Sequence, residues 1–364
     1  MSAVAAADAI ARGLRASPLD DAVDLLPIAD GGNGTVDAFL VHGGRRETRR
    51  VTGPLGAPVD ADFALLPDGR TAVIEMALAS GLELVDQLDA GRASTHGTGE
   101  LIRAALDAGV SRLIVGVGGS ATTDGGAGCL MALGLSVAQA DGAEIGSGGI
   151  SLHNAAQIDT TGLDPRLPNV EVIVATDVDN PATGPEGAAV VFGPQKGADA
   201  QLVESLDAAL SRWFSLATSV TGRDVTHEPG AGAAGALAGG LLAFANAKLV
   251  SGVDLLLDYA QFDQRVQSHR LVITGEGRLD DQSLRGKGPI GVARRAQGFG
   301  VPTLAFAGSV TANPAALRDA GIAAAFPIVD RIITLSEALN HGPTLLETAA
   351  FRVGCTIALA RAIS

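Results

Sequence analysis

The sequence is poor in cysteine, in aromatic residues and in positive charge. Its 364 residues include two cysteines, Cys129 and Cys355, which are too few for a disulfide framework and lack the spacing of a metal site. This indicates a reducing, cytoplasmic compartment. Trp213 and Tyr259 are the single tryptophan and tyrosine, too few for a platform on which nucleic-acid bases stack. Lys and Arg number 26 against 40 Asp and Glu, a net charge of −14 that repels phosphate backbones and anionic lipids. We therefore expect no nucleic-acid and no membrane partner.

The sequence also shows no segment that would carry the chain into a membrane. No run of about 18 apolar residues occurs, so no membrane-spanning helix is predicted. Residues 1–17 place Asp8 and Arg12 inside an apolar stretch with no basic region before it, which is typical of an amphipathic helix and not of a signal peptide. We expect a soluble protein of about two domains, either a monomer or a homodimer.

Several catalytic motifs are missing as well. Gly286-Lys287 is followed by Gly288, so the sequence contains no P-loop. Ser120 is followed by Ala121, so there is no Gly-x-Ser-x-Gly nucleophile elbow. The 6 histidines are scattered, which indicates neither a zinc site nor a Ser-His-Asp triad.

Glycine, by contrast, is abundant. It makes up 48 of the 364 residues, well above the usual share of about 7%, and without a Gly-X-Y repeat these glycines belong in loops. Continuous apolar runs, typical of parallel strands buried on both faces, lie at residues 112–117, 171–175, 271–274 and 302–306. Helical patterns lie at residues 98–109, 199–218 and 287–297. This alternation predicts an α/β fold.

Two segments depart from that alternation. Residues 51–76 contain short strands separated by Gly-Pro and Asp-Gly turn signals, which predicts a local antiparallel ribbon. Residues 229–240 are rich in glycine and alanine, and two interpretations stay open: a flexible linker, or a close-packed helix start beside a ligand. Composition favours a domain junction near residues 240–250.

Four glycine-rich loops carry the candidate chemistry, because ligands of α/β sheets bind where loops meet helix N-termini at the carboxyl ends of strands. The first is GVGGSATTDGGAG at residues 116–128, where Gly118, Gly119 and Ser120 would present backbone N–H groups to a phosphate. A glycine turn that only packs helix on strand is the alternative. Gly116-x-Gly118-x-x-Ala121 also matches the loose dinucleotide fingerprint, so an NAD-linked dehydrogenase stays open.

The second loop, residues 176–198, follows the run at 171–175. Asp177 and Asp179 are two residues apart, so on extended backbone they point to the same side. One carboxylate can accept a proton from a substrate hydroxyl while the other binds Mg²⁺. A cluster of Asx-turns is the alternative. Lys196 lies between Pro194 and Gly197, where it is either a phosphate contact or an ordinary surface lysine.

The third loop, residues 275–288, places Glu276, Arg278 and Lys287 after a buried strand. Charges at a strand end are costly unless they bind a ligand or pair with each other, and a self-satisfied ion network is the alternative. The fourth loop, residues 30–39, opens a helix with three glycines. Taken together, anion-binding loops, a carboxylate pair and a magnesium-type ligand favour phosphoryl transfer.

At these residues the sequence resembles the class I glycerate kinases. The matching segments are ADGGNGTVDA at residues 29–38, GTGELIRAAL at 97–106, GVGGSATTDGGAG at 116–128, TDVDNPATGPEGAAVVFGPQKGA at 176–198, TGEGRLDDQSLRGKGPIGVA at 274–293 and AFAGSV at 305–310. The resemblance implies an ATP- and Mg²⁺-dependent kinase that phosphorylates D-glycerate at the 2-hydroxyl. It also implies two α/β domains with a ligand cleft between them: a discontinuous Rossmann-like domain, residues 1–45 and 248–364, and an inserted domain, residues 46–247.

The resemblance further implies roles for individual residues. Asp177 would be the catalytic base, and Asp179 and Glu276 would hold the metal. Arg278 would bind the glycerate carboxylate, because a planar guanidinium matches a carboxylate with two parallel hydrogen bonds. The substrate loop would include Gly31 and Gly32. The nucleotide contacts would be Gly118, Gly119, Ser120, Lys196 and Lys287.

Three features differ from the usual pattern of that family. Its members typically begin with a buried strand and a Lys-Phe-Lys-Gly-Ser-type loop, whereas this sequence starts where the first helix starts. Asn33 stands in place of the usual Glu, and Thr123 in place of the usual Asn. A weakened or inactive homologue that binds glycerate or nucleotide is therefore the alternative function.

Overall fold

Strands and helices alternate along most of the chain in the computed structural model, which describes residues 1–281, 283–285 and 288–363. The strands are β1 (Arg45–Thr52), β2 (Pro58–Leu65), β3 (Thr71–Glu75), β4 (Arg112–Gly116), β5 (Ser136–Ala138), β6 (Gln157–Asp159), β7 (Glu171–Ala175), β8 (Lys248–Val250), β9 (Val272–Leu279), β10 (Thr303–Val310) and β11 (Ile322–Pro327). The helices are α1 (Ala3–Ala16), α2 (Thr35–Leu40), α3 (Ala77–Ser80), α4 (His96–Asp107), α5 (Ala127–Ala132), α6 (Ala188–Phe192), α7 (Ala200–Thr221), α8 (Ala233–Phe244), α9 (Gly252–Tyr259), α10 (Phe262–Val266), α11 (Gly288–Gly298), α12 (Pro314–Asp319), α13 (Leu335–Asn340) and α14 (Gly342–Ala362). Short 3-10 helices lie at Leu82–Leu84, Gly149–Asn154, Leu167–Asn169, Pro194–Lys196 and Ser283–Arg285. The predicted α/β class is confirmed.

The chain divides into two compact units. The terminal unit combines Met1–Ala29 with Val253–Ser364, and the central unit is Asp30–Gly252. The two boundaries between the units follow residues 29 and 252. The sequence prediction placed the domain boundaries after residues 45 and 247. The assignment of a Rossmann-like and an inserted domain stays a prediction.

The central unit is built on a six-stranded sheet in the order β1-β2-β3-β4-β7-β8. The first two pairings are antiparallel, which confirms the ribbon predicted over residues 51–76, and β3, β4, β7 and β8 run parallel. Strand β1 begins at Arg45, before the predicted ribbon. Two of its arginines form ion pairs with aspartates of β2: Arg46 lies 2.9 Å from Asp62 and Arg50 lies 3.0 Å from Asp60. Such charges also protect an edge strand from unwanted pairing.

Helices α4 and α8 contribute to a core on one face of this sheet. Leu101 of α4 and Leu237 of α8 belong to the same buried cluster as Leu113 of β4 and Val174 of β7. The segment at residues 229–240 is the start of α8, where Ala234, Gly235 and Ala236 take left-handed φ values before the regular helix. Residues 230–240 are buried, and Pro229 is exposed. The linker interpretation is therefore wrong, and the close-packed helix start is confirmed as a structure.

The terminal unit contains a three-stranded parallel sheet in the order β11-β10-β9. Alternate residues of β10 face opposite sides: Ala305 packs in a cluster with Ile290 of α11, while Phe306 packs in a cluster with Leu14 of α1 and Leu346 of α14. Helices thus cover both faces, as expected for parallel strands. The amphipathic first helix is confirmed as α1. In the part of the chain that the structure describes, none of the helices has the length and apolar character of a membrane span.

Candidate active site

The loops after the parallel strands of the central unit meet at one edge of its sheet. The N–H of Gly118, after β4, donates to the carbonyl oxygen of Gly31 at 2.9 Å. The N–H of Gly252, after β8, donates to Oδ1 of Asp177, after β7, at 3.1 Å. The structure therefore brings the loop at residues 30–34 together with the loops that contain Gly118 and Asp177.

At two of the predicted glycines these loops approach each other or the sheet so closely that no side chain would fit. A Cβ on Gly31 would overlap the carbonyl oxygen of Ala175, and the residue has a φ of +89°. A Cβ on Gly118 would overlap the Cα of Gly32. Glycine is the residue that permits both a positive φ and a contact of backbone with backbone. Gly31, Gly32 and Gly118 thus lie in one cluster at the end of the sheet.

The two aspartates that follow β7 differ in their surroundings. Asp177 is half-buried and Asp179 is exposed. Gly252, which donates to Asp177, also lies against the carbonyl group of Asp30, where a Cβ would overlap it. The Asp177 carboxylate is therefore oriented from the start of α9 and lies beside the 30–34 loop, while Asp179 is exposed.

Sequence reasoning missed Glu75, the last residue of β3. Its carboxylate accepts hydrogen bonds from the N–H of Gly34 at 3.0 Å and of Val36 at 3.1 Å, so it holds the start of α2. Glu75 is 4% exposed, and burial raises the pKa of its carboxyl group while the backbone hydrogen bonds act in the opposite direction. An acidic residue that ends an apolar strand was the available signal.

Asn33 of the 30–34 loop contacts two further loops. Its Nδ2 donates to Oε1 of Glu83 at 3.1 Å. Its Oδ1 lies so close to Gly119 that a Cβ there would overlap it, and Gly119 has a φ of +74°. The amide supplies a donor toward Glu83 that a carboxylate lacks.

Ser120 and Lys196 are brought together farther along the same loop. The Nζ of Lys196 donates to Oγ of Ser120 at 2.9 Å and to the carbonyl oxygen of Thr122. Lys196 is 1% exposed, so the surface-lysine interpretation is wrong. Burial lowers the pKa of its ammonium to about 7, while the charge of Asp124 acts in the opposite direction.

Asp124 fixes the far end of this loop. Its carboxylate accepts from the N–H of Thr95 at 2.8 Å, from the Thr95 hydroxyl at 2.9 Å and from the N–H of Gly126 at 3.1 Å. It is 1% exposed, and burial raises the pKa of its carboxyl group. These bonds hold the turn into α5, a structural role that the sequence did not show.

The remaining candidates belong to the terminal unit. Glu276 and Arg278 lie two apart on β9, hence on one side of the strand. Arg278 is exposed and its Nε lies 3.2 Å from Oδ2 of Asp280, which fits part of the ion network considered from the sequence. Glu276 is half-buried. Lys287 lies outside the described residues.

The donor chemistry of the central unit suits magnesium. Within residues 1–281, 283–285 and 288–363, no group of three or more His, Cys, Asp or Glu side chains is arranged to hold a metal ion. Mg²⁺ does not need such a cage, since it is usually held by one or two carboxylates together with water and substrate phosphates. Asp179, which is exposed, supplies a carboxylate of that kind.

Comparison with known proteins identifies the family. The sequence model of the glycerate kinase family matches residues 1–358. Glycerate kinase from Bacillus subtilis (strain 168) is 48% identical over 364 residues, which cover 99% of this chain and 95% of that protein. Glycerate 2-kinase from Escherichia coli (strain K12) is 43% identical over 363 residues, which cover 99% of this chain and 95% of that protein. The crystal structure of a protein described as glycerate kinase 2, from Salmonella typhimurium LT2, has a TM-score of 0.84 at 45% identity and covers 99% of this chain and 96% of that one. These matches confirm the resemblance carried by the motifs: the chain belongs to the glycerate kinase family of enzymes.

Proposed function

We propose that this enzyme transfers the γ-phosphoryl group of ATP to the 2-hydroxyl of D-glycerate, giving 2-phosphoglycerate and ADP with the help of Mg²⁺. Family membership supports the substrate class and the use of a nucleotide. The observation that carries the proposal is the meeting of Asp177 with the glycine loops of Gly31 and Gly118 at the carboxyl edge of the sheet. That edge is where α/β enzymes bind phosphorylated ligands.

Asp177 is the proposed base. Its carboxylate takes the proton of the 2-hydroxyl as that oxygen forms a bond to the γ-phosphorus, and the bond from the γ-phosphorus to the bridging oxygen of ADP breaks. The hydrogen bond from Gly252 fixes Oδ1, so the carboxylate is held in one orientation before substrate binds. Positioning of this kind is the main protein contribution to phosphoryl transfer.

The phosphate chain of ATP is proposed to lie along the loop at residues 118–120. The N–H of Gly118 is already bonded to Gly31, so Gly118 contributes close approach of the backbone, and the amides of Gly119 and Ser120 are the proposed donors. When bound, Mg²⁺ neutralises the negative charge that the phosphates carry. Asp179 and Glu276 are its proposed protein ligands.

The substrate carboxylate is proposed to bind Arg278, and the loop of Gly31 and Gly32 to contact the rest of D-glycerate. Lys196 and Lys287 were expected from sequence to contact phosphate, and those contacts stay predictions. The cytoplasmic location and the monomeric or homodimeric state also stay predictions from sequence.

Turnover tests the proposal. The protein is incubated with ATP, Mg²⁺ and D-glycerate, and ADP is measured over time. We expect ADP formation that requires D-glycerate and stops when EDTA removes Mg²⁺. ATP binding, seen as a thermal shift, without any glycerate-dependent ADP would contradict the proposal and favour the inactive-homologue alternative.

A further inference from the structure

Lys196 is buried as deeply as the largest apolar residues of the central unit. Its exposed fraction is 1%, against 0% for Trp213 and Phe63. It ends the 3-10 helix Pro194–Lys196, and Gly197, which follows it with a φ of +91°, packs under Leu88. The chain therefore directs this side chain into the protein interior and not toward solvent.

The ammonium group joins two points of one loop. It donates to the Ser120 hydroxyl at 2.9 Å and to the Thr122 carbonyl oxygen, two residues farther on. On its other side Thr122 lies against Gly235, one of the left-handed residues at the start of α8, where a Cβ would overlap the same carbonyl oxygen. The Thr122 carbonyl is therefore enclosed between Lys196 and the start of α8.

Stability alone does not account for a lysine in this position. Removing an ammonium from water is costly, and a buried charge is often replaced by an apolar side chain of similar size without loss of stability. Burial lowers the pKa of Lys196 to about 7, and Asp124, the acidic residue that interacts with it, only partly offsets this effect. A costly group that bonds specifically to the loop after β4 is expected at a functional site.

We propose that Lys196 is a positioning residue: its ammonium holds Ser120 and Thr122, and thereby keeps the backbone of residues 118–122 in the shape that binds the phosphates of ATP. Lys196 does not itself touch the nucleotide. This proposal rests on the proposed function, and it replaces the direct phosphate contact that the sequence suggested with an indirect one.

Hydrogen exchange on the ligand-free protein gives the first test, because it does not depend on activity. The variants are Lys196→Met and, as a matched control, Lys248→Met on β8, whose ammonium is exposed and lies 3.4 Å from Glu171. In Lys196→Met two hydrogen bonds from a charged group are lost, and we expect amides of residues 118–124 to exchange about tenfold faster or more, with the rest of the central unit unchanged. The control should match the parent protein.

Steady-state kinetics give the second test. Lys196→Met should raise KM for ATP by about tenfold or more with a much smaller change in KM for D-glycerate, because the loop that it disorders binds phosphate. A raised KM for ATP with unchanged exchange in residues 118–124 would mean direct contact and would overturn the proposal. Unchanged exchange and unchanged kinetics would overturn it as well.

Two further outcomes remain decisive. If Lys196→Met does not fold, Ser120→Ala removes one of the two bonds and should give the same local increase in exchange at a smaller size; no increase would overturn the proposal. If the parent protein forms no ADP, the proposed function fails, and the exchange comparison still decides whether Lys196 holds the loop.

Discussion

Gly252 donates its backbone N–H to Oδ1 of Asp177 across 3.1 Å. The two residues follow neighbouring parallel strands, β8 and β7, so the sheet itself brings them together. Gly252 also lies against the Asp30 carbonyl. The proposed base is thus oriented by the first residue of α9, which packs on the glycine loop.

The first prediction concerns Asp177. Asp177→Asn keeps an oxygen that can accept the Gly252 hydrogen bond but removes the proton acceptor, so kcat should fall by about 10² to 10⁴ while the melting temperature stays near that of the parent. The control is Asp60→Asn, the same chemical change on the exposed part of β2. Activity of Asp177→Asn within a few-fold of the parent would show that another group is the base.

The second prediction concerns Gly31, with Gly34 as its control. Both have strongly positive φ values, +89° and +88°, but a Cβ on Gly31 would overlap Ala175 whereas one on Gly34 meets nothing within 4 Å. Gly34→Ala should cost about 1–2 kcal/mol for the left-handed backbone. Gly31→Ala should cost about 1–3 kcal/mol more from overpacking, and should also lower activity. Urea unfolding measures both, and equal losses would argue against the close contact of the 30–34 loop with β7.

The third prediction is a pH dependence of stability caused by Lys196. Its folded pKa of about 7 lies below the ordinary value of 10.5, so between these values the unfolded chain binds more protons than the folded one. The free energy of unfolding contributed by this group therefore rises with pH in that window. Relative to Lys196→Met, the parent should gain about 2 kcal/mol between pH 7 and pH 9. Urea titrations at several pH values test this, and parallel curves for the two proteins would contradict it.

The apolar runs correctly predicted the strands that are buried on both faces of the sheet, because such strands consist of apolar residues. The run at 112–117 corresponds to β4, Arg112–Gly116, and that at 171–175 to β7. Strand β9, by contrast, continues past the predicted end at 274 to Leu279. Its second half is glycine-rich and charged, so no apolar pattern marks it, and pairing holds it instead: Glu276 lies opposite Ala307 and Arg278 opposite Ser309 of β10.

The glycine loops of the site could be predicted from the sequence. Side-chain contacts between residues far apart along the chain could not. The clustered glycines marked the loops because few other residues allow such turns and contacts. The burial of Lys196 was not visible, since its partner Ser120 is 76 residues away along the chain. Glu75 could be noticed as an acidic residue that ends an apolar strand, but its hydrogen bond from the N–H of Gly34 could not, because Gly34 is 41 residues away.

The measurement that tests the central claim most directly identifies the hydroxyl that is phosphorylated. The reaction with ATP, Mg²⁺ and D-glycerate is coupled to an enzyme that dehydrates 2-phosphoglycerate but does not accept the 3-isomer. We predict that the coupled signal follows ADP formation in equal amounts from the start. ADP formation with no coupled signal, until a mutase that interconverts the two isomers is added, would show that the 3-hydroxyl is the acceptor and would contradict the account.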